Sequence, residues 1–585
     1  MKRRVSVINE TTFSSKEISR IGAAKILKGR AARVLNFLGR SFAYSSTRSY
    51  GCFMLSFGLF SILLHLGEYY FADEAEVAVP LIIGAILVCL SVPLLVFDRP
   101  MCIALQDFPV TDYILYEFLA IKRMHRGVNH VTVSPLLAVF FGFIPAIVAF
   151  FLPIQWVVLA LVILAMTAVA FTTPEFPMIL MLLILPYIPF FPFAKEVIIV
   201  VSLSVIMLLS FALKVAIGKR VYSFDIYDVL ILLMILFIFI GGIAGYGDNS
   251  LENSLIKIVL LLGYFPAANL ITNRRLADCA INAVIISAVP ITLLSIVEFS
   301  LKSFVKSQHG DSYLTDGIYA FFSSPSVLAA FLLVSAILTL SFFIQKKNKS
   351  AKAFYLTVFI AELFVLGLVM QPAAWLAILI VALAYFVISS RQIPRDVLLW
   401  LFILPHLLLL IPAKALDAVS KILGMSPSFS EKIASYENAL PVFFDNLWLG
   451  VGIGSDSYVE ASGGSPAIFN NMLGMATELG IVVLTLFLIT VMLRFRHISY
   501  YRTYVRNSHL RVAGGSTALV LLALLVFGID AYIFADTTVF YLFWVMFGVC
   551  TATLRMAKKE HDERLSYYGD SRSAESSVID VQIQK

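Results

Sequence analysis

The chain has 585 residues, 60% of them hydrophobic and only 14% charged, with a mean hydropathy of +0.90. A soluble protein could not hide that much apolar surface. Repeated apolar runs of about 17–25 residues, without strand-like alternation, read as membrane-spanning helices rather than barrel strands. The formal net charge of +7 gives no nucleic-acid signal, because the basic residues sort by loop.

In chain order, the first 50 residues hold eleven Lys/Arg and two acids. Met1-Lys2-Arg3-Arg4 has the charge of a signal n-region, but no apolar h-region follows, so no cleavage is expected. From Lys16 onward, Leu27, Ala31, Val34, Leu35, Leu38 and Phe42 recur at helical spacing among Lys25, Lys28, Arg30, Arg33 and Arg40. This predicts a basic amphipathic helix on the cytoplasmic membrane surface, or else a solvated tail that only fixes topology.

Spans are expected near 51–71, 77–97, 135–152, 156–172, 178–192, 196–217, 229–246, 254–271, 279–299, 327–344, 353–370, 373–389, 397–411, 479–494, 516–533 and 537–554. The total is about 14–16, since Pro-rich LPYIPFFPF (185–193) reads equally as a re-entrant piece. Taking alternate connections as cytoplasmic, with both termini inside, assigns 37 of the 44 Lys/Arg to the inner side, counting the flanking Lys214 and Arg494. That skew obeys the positive-inside rule. The five cysteines lie in or beside spans with no CxxC pair, so neither a disulfide frame nor a metal site is expected. Two outward loops are large, 300–326 and 412–478, and Ser/Asp-rich 567–585 reads as disordered.

The loop 412–478 is the chain's organising segment. Ser428-Phe429-Ser430-Glu431 fits a capping box that opens a helix. A glycine turn at Gly450, Gly452 and Gly454 closes that helix. The turn follows no strand, so it is not a nucleotide loop. A second helix is expected from about Pro466, with Asn471 and Glu478 seven apart on one face and Asn470 and Thr477 beside them.

Several pieces then fall in order: Tyr436-x-x-Ala439-Leu440, Asn446-Leu447-Trp448-Leu449-Gly450-Val451-Gly452-Ile453-Gly454, and Asn470-Asn471-Met472-Leu473 with Glu478-Leu479-Gly480. Together with Phe321-Phe322-Ser323-Ser324-Pro325-Ser326, Ala374-Trp375-Leu376 and Gly528-Ile529-Asp530-Ala531-Tyr532, the set resembles the signature of the O-antigen ligase and polymerase family. It covers roughly 170–555. The resemblance implies an all-α polytopic membrane protein of a bacterial envelope-glycan pathway. Its parts would be a basic N-terminal segment (1–50), an N-terminal transmembrane hairpin and cytoplasmic loop (51–134), a membrane core (135–554) and a cytoplasmic tail (555–585). The implied reaction moves glycan from a polyprenyl diphosphate to an acceptor hydroxyl, on glycan or lipid, at the outer face of the cytoplasmic membrane. It needs no cofactor and no metal. Expected partners are the lipid-linked glycan, its acceptor and membrane lipids, with no nucleic acid.

The chain departs from the family at the positions that carry charge. The family histidine falls on Phe469, its span arginine on Pro372 and its loop arginine on Lys432. Phe469 and Pro372 offer no side-chain donor, and Lys432 keeps the charge without the bidentate fork. What remains is Glu478 as base and Asn470 beside it as catalytic candidates. Lys432, Asn471 and Gln371 remain as substrate contacts. The bland readings are a solvated helix lysine for Lys432, an ordinary span-mouth carboxylate for Glu478 and a helix-start contact for Asn471. Polymerase and ligase stay equally open. The alternatives are a catalytically degenerate member that binds or scaffolds lipid-linked glycan, and a flippase or other transporter. Mid-span charge is scarce (Lys257 and Glu362 are the main cases), and that favours a site at the outer face.

Overall fold

The structure, a computed structural model, describes residues 12–13, 45–71, 78–121, 123, 133–190, 196–216, 220, 222–309, 317–389, 397, 401, 403, 429–462, 468–504 and 508–583. Most of the amphipathic segment expected before residue 45, and most of the span expected at 397–411, lie outside them. Among the described residues, 11 helices are long and apolar enough to cross a membrane, and four shorter apolar helices accompany them. The protein is therefore an all-α polytopic membrane protein. Among the described residues, strand is confined to Thr12–Phe13 (β1) paired with Tyr222–Ser223 (β2).

The N-terminal helices α1 (Thr47–Phe71), α2 (Ala78–Val96) and α3 (Pro135–Phe151) form a unit with its own small core of Phe57, Ala146 and Ala149, joined by Ile154 and Val157 of α4 (Ile154–Thr172). The main bundle follows as α5 (Glu175–Ile184), α6 (Glu196–Ala216), α7 (Ile226–Ala244), α8 (Ser250–Leu262) and α9 (Tyr264–Leu270). It continues with α10 (Arg274–His309), α11 (Pro325–Gln345), α12 (Lys349–Val369) and α13 (Pro372–Ser389). Then come two non-spanning helices, α14 (Phe429–Asp445) and α15 (Ser455–Ser462), and the closing α16 (Asn471–Tyr504), α17 (Ser508–Phe527) and α18 (Thr537–Ile583).

The span expected at 254–271 is two helices, α8 and α9, meeting at Gly263, where a side chain would strike Tyr541. Of the Pro-rich 185–193, the described Leu185–Phe190 continues α5 as a tight 3₁₀ turn. Helix also runs on to Ile583, through the Ser/Asp-rich stretch expected to be disordered. Extending a formed helix costs less than nucleating one, so a span can carry helix into a poor sequence.

α18 is the bundle's axis, with nearly all of its apolar stretch buried. Phe540, Phe543, Trp544 and Phe547 interlock there with Phe487 and Phe534. In lipid no hydrophobic effect draws helices together, so such packing and interhelical hydrogen bonds must hold the bundle. One such bond runs from the Ser335 hydroxyl to the fully buried Glu362 carboxyl, across α11 and α12.

Contacts sort the helix ends into two sets. At one end meet 244–253, 298–309, 317–326, 371, 446–462, 468–481 and 528–540. At the other, Arg555 lies 3.9 Å from Asp225 and 3.8 Å from Asp228, and Arg274 pairs with Glu560. Arg494, read from sequence as a flank, is buried at that second end. Its guanidinium lies 3.8 Å from the Tyr227 ring centre and 4.5 Å from that of Phe547, and Nη2 donates to Thr551 Oγ1 at 2.5 Å. An arginine reaches such a site because its planar, weakly hydrated head can stack.

Candidate functional site

The site grows from an interruption in α16. Asn470 caps the helix: its Oδ1 accepts from the Met472 and Leu473 amides at 2.8 and 3.1 Å. After about two and a half turns the helix breaks at Gly480, whose φ of 76° and ψ of 174° are not helical. The freed carbonyls find donors in the glycine turn. Val451 N–H donates to Thr477 O at 2.8 Å, Gly452 N–H to Glu478 O at 3.1 Å, and Ile481 N–H to Leu447 O at 2.8 Å. Two glycines make this seam possible. A Cβ on Gly450 would sit 2.4 Å from Glu478 O, and one on Gly480 would sit 2.2 Å from Trp448 O; both residues have positive φ. Gly480→Ala is expected to lower thermal stability sharply, since the backbone strain alone costs about 1–3 kcal/mol before the overlap is counted. Gly515→Ala meets nothing within 4 Å and serves as the neutral comparison in a melt of purified protein.

The break presents Glu478 to the segment 528–536. Tyr532 donates its hydroxyl to Glu478 Oε2 at 2.5 Å. Burial, with the Glu478 carboxyl second, holds the Tyr532 hydroxyl well above the usual phenol range, so it remains a donor. The next turn, Ile533–Ala535, is tied down by Lys257 of α8. The Lys257 ammonium donates to Phe534 O at 2.5 Å and Ala535 O at 2.9 Å, and lies 4.5 Å from the Phe540 ring centre. Lys257 also feels the charges of Glu478 and Asp536. Asp536 in turn caps α18 through the Thr538 and Val539 amides at 2.8 and 3.3 Å, and its Oδ2 accepts from Ser323 at 2.9 Å.

Of the residues expected from sequence, three meet here. Asn470 Nδ2 donates to Ile529 O at 2.9 Å, so both ends of that amide serve the scaffold. Asn471 is fully buried: its N–H donates to Gly528 O at 2.7 Å and its Oδ1 accepts from Phe534 N–H at 3.1 Å, while Nδ2 has no hydrogen-bond partner among the described residues. Glu478 is the third. Gln371 reaches the same end through Ser326, whose hydroxyl lies 3.4 Å from its Oε1. Lys432 lies on α14, and its side chain is outside the described residues. Tyr436 on the same helix faces Ile529 O at 3.5 Å, and its hydroxyl is pushed up to about 12 by burial and then by Asp530.

Sequence reasoning did not place Lys257, Tyr532 or Asp536 in the site. Lys257 stood out as a lone cation in an apolar run, and Tyr532 closed a motif. What was missing was the fold-back that brings segments 254–260, 471–481 and 528–540 together. Chemically, the arrangement is a buried carboxyl with a phenol donor, one ammonium within electrostatic reach and a second carboxyl that caps a helix. It is suited to moving a proton or binding a polar group, and no three His, Cys, Asp or Glu among the described residues are placed to hold a metal. Compared with known proteins, the chain matches no family model and no curated sequence.

Proposed function

We propose that this protein is a divergent O-antigen ligase/polymerase-like enzyme that transfers glycan from a polyprenyl diphosphate to an acceptor hydroxyl at the outer face of a bacterial cytoplasmic membrane. The observation that carries the reading is the Glu478–Tyr532 pair beside Lys257, set at a broken helix. The segments around it, 317–326, 446–462, 468–481 and 528–536, carry most of the family resemblance. In this reading the acceptor hydroxyl takes the place of Tyr532 on Glu478, gives up its proton there and attacks the sugar's anomeric carbon. The bond from that carbon to the diphosphate breaks, and the electron pair leaves with the lipid diphosphate. Lys257 supplies the buried cation that Pro372 cannot, and Lys432 and Gln371 contact the diphosphate. Asn470 and Asn471 hold the carboxyl's helix in place.

A second reading, a binder or scaffold of lipid-linked glycan, is favoured by one observation. Phe469 has no acid–base chemistry, and both ends of the neighbouring Asn470 amide are engaged in helix capping and the Ile529 contact. Deletion separates the two. Lipid-linked repeat units should accumulate in the deletion strain of an active enzyme and clear on complementation. Lys432→Ala should then clear them poorly and Lys432→Arg well, because a desolvated charge partner is typically worth about 2–5 kcal/mol. No accumulation on deletion favours the scaffold. Topology is checked separately: a cysteine at the exposed Glu460 should react with an impermeant thiol reagent in intact cells, and one at the exposed Lys559 should not. Equal reaction at both would overturn the outer-face assignment.

A further inference from the structure

α14 carries two different faces. Ala439 and Val442 are buried against Val451, Tyr458 and Ile468. Leu440 and Phe444, and then Trp448 in the turn, follow at steps of four and share the opposite face. Their exposures are 43%, 66% and 69%, which is high for large apolar groups on a helix outside the spans. Asn438 and Asp445, also exposed, flank this stripe, and the exposed Glu437 precedes Leu440 by one turn on the same face.

The level at which the stripe sits identifies what covers it. Leu449 O lies 3.0 Å from where a Cβ of Gly241 would be, and Gly241 is inside the apolar span of α7. Leu447 O accepts from Ile481 N–H, where the apolar run of α16 begins. The lower end of α14 is thus level with the apolar ends of two spans. Beside it on α7, Ile243 and, just beyond the helix, Tyr246 are 63% and 54% exposed, continuing the surface that the spans turn to lipid.

We infer that α14 is an interfacial helix, seating Leu440, Phe444 and Trp448 at the headgroup–acyl boundary of the bilayer while its other face packs over the glycine turn. The occupant is lipid, because the stripe lies at the level of the span ends and close to exposed apolar residues of α7. Its composition also fits: apolar and aromatic groups, tryptophan above all, favour that boundary, with charged groups on the wet side. The inference rests on the spans and not on the proposed glycan chemistry.

The test uses the full-length protein in phosphatidylethanolamine/phosphatidylglycerol vesicles, with native cysteines replaced and single nitroxide-labelled cysteines at 438, 440, 444 and 448. Labels at 440, 444 and 448 should relax with oxygen several-fold more than with a water-soluble nickel chelate, and the label at Asn438 should show the reverse. A second measurement keeps the native cysteines: brominated-lipid quenching of tryptophan fluorescence should fall in Trp448→Phe relative to wild type. Strong relaxation of 444 and 448 by the nickel chelate would mean a solvated face. Shielding from both relaxers, as a protein partner or second copy would give, would equally overturn the inference.

Discussion

Glu478→Gln is expected to reduce glycan transfer by about 10²–10⁴-fold, the usual worth of a general acid or base, while leaving the protein folded. Glutamine keeps an oxygen that can accept from Tyr532, so the 2.5 Å contact between α16 and the 528–536 segment has a replacement. What it cannot do is take a proton. Clearance of lipid-linked glycan in a complemented deletion strain reads the effect, with expression measured alongside. Glu460→Gln, on an exposed part of the same loop, should leave the rate unchanged. Full activity in Glu478→Gln would show that no proton passes through this carboxyl and would remove its proposed role.

Lys257→Met should be the most destabilising single change at this end of the bundle. It strands the Phe534 and Ala535 carbonyls, which accept from the ammonium, and leaves Glu478 and Asp536 without the cation they sense. Each buried acceptor stranded without a donor costs about 1–3 kcal/mol, and the loss of the cation near the buried Glu478 adds to it. Thermal unfolding of purified protein in detergent measures it. Adding Glu478→Gln to Lys257→Met should recover part of the loss, since the uncompensated charge is then gone and residues in one network do not add. A double mutant that melts lower by the plain sum of the two losses would mean the pair is not coupled.

Apolar periodicity was enough to place the spans of the described bundle, because in lipid a helix must satisfy its own backbone and so must be long and apolar; it did not set their ends, and α10, α16 and α18 run ten or more residues beyond the expected spans. Fine structure inside the spans was not legible. Gly263 and Gly480 look like any other membrane glycines, and whether one bends a helix or ends it depends on what packs against it. Gly480 breaks α16 because the 447–452 backbone is there to receive its carbonyls. For the same reason Glu478 could be picked from its motif but its partner Tyr532 could not, and the capping contacts of Asn470, a catalytic candidate in the sequence, show only in the fold. Lys257 shows the limit most plainly. Its charge was visible in the sequence, but its carbonyl acceptors lie 277 and 278 residues away.

The interruption at Gly480 also constrains how the chain is made. A continuous helix can leave the insertion machinery finished, with every main-chain group matched inside its own segment. α16 cannot, because its Thr477 and Glu478 oxygens depend on amides of Val451 and Gly452, in a part of the chain synthesised earlier. Until that turn folds back, the start of the span holds unmatched polar groups at the edge of hydrocarbon, each costing several kcal/mol. Completion of this helix and assembly of the contacts around Glu478 are therefore one event in biogenesis. A lesion in the turn should be recognised by quality control as an unfinished membrane segment, well before any loss of chemistry could be felt.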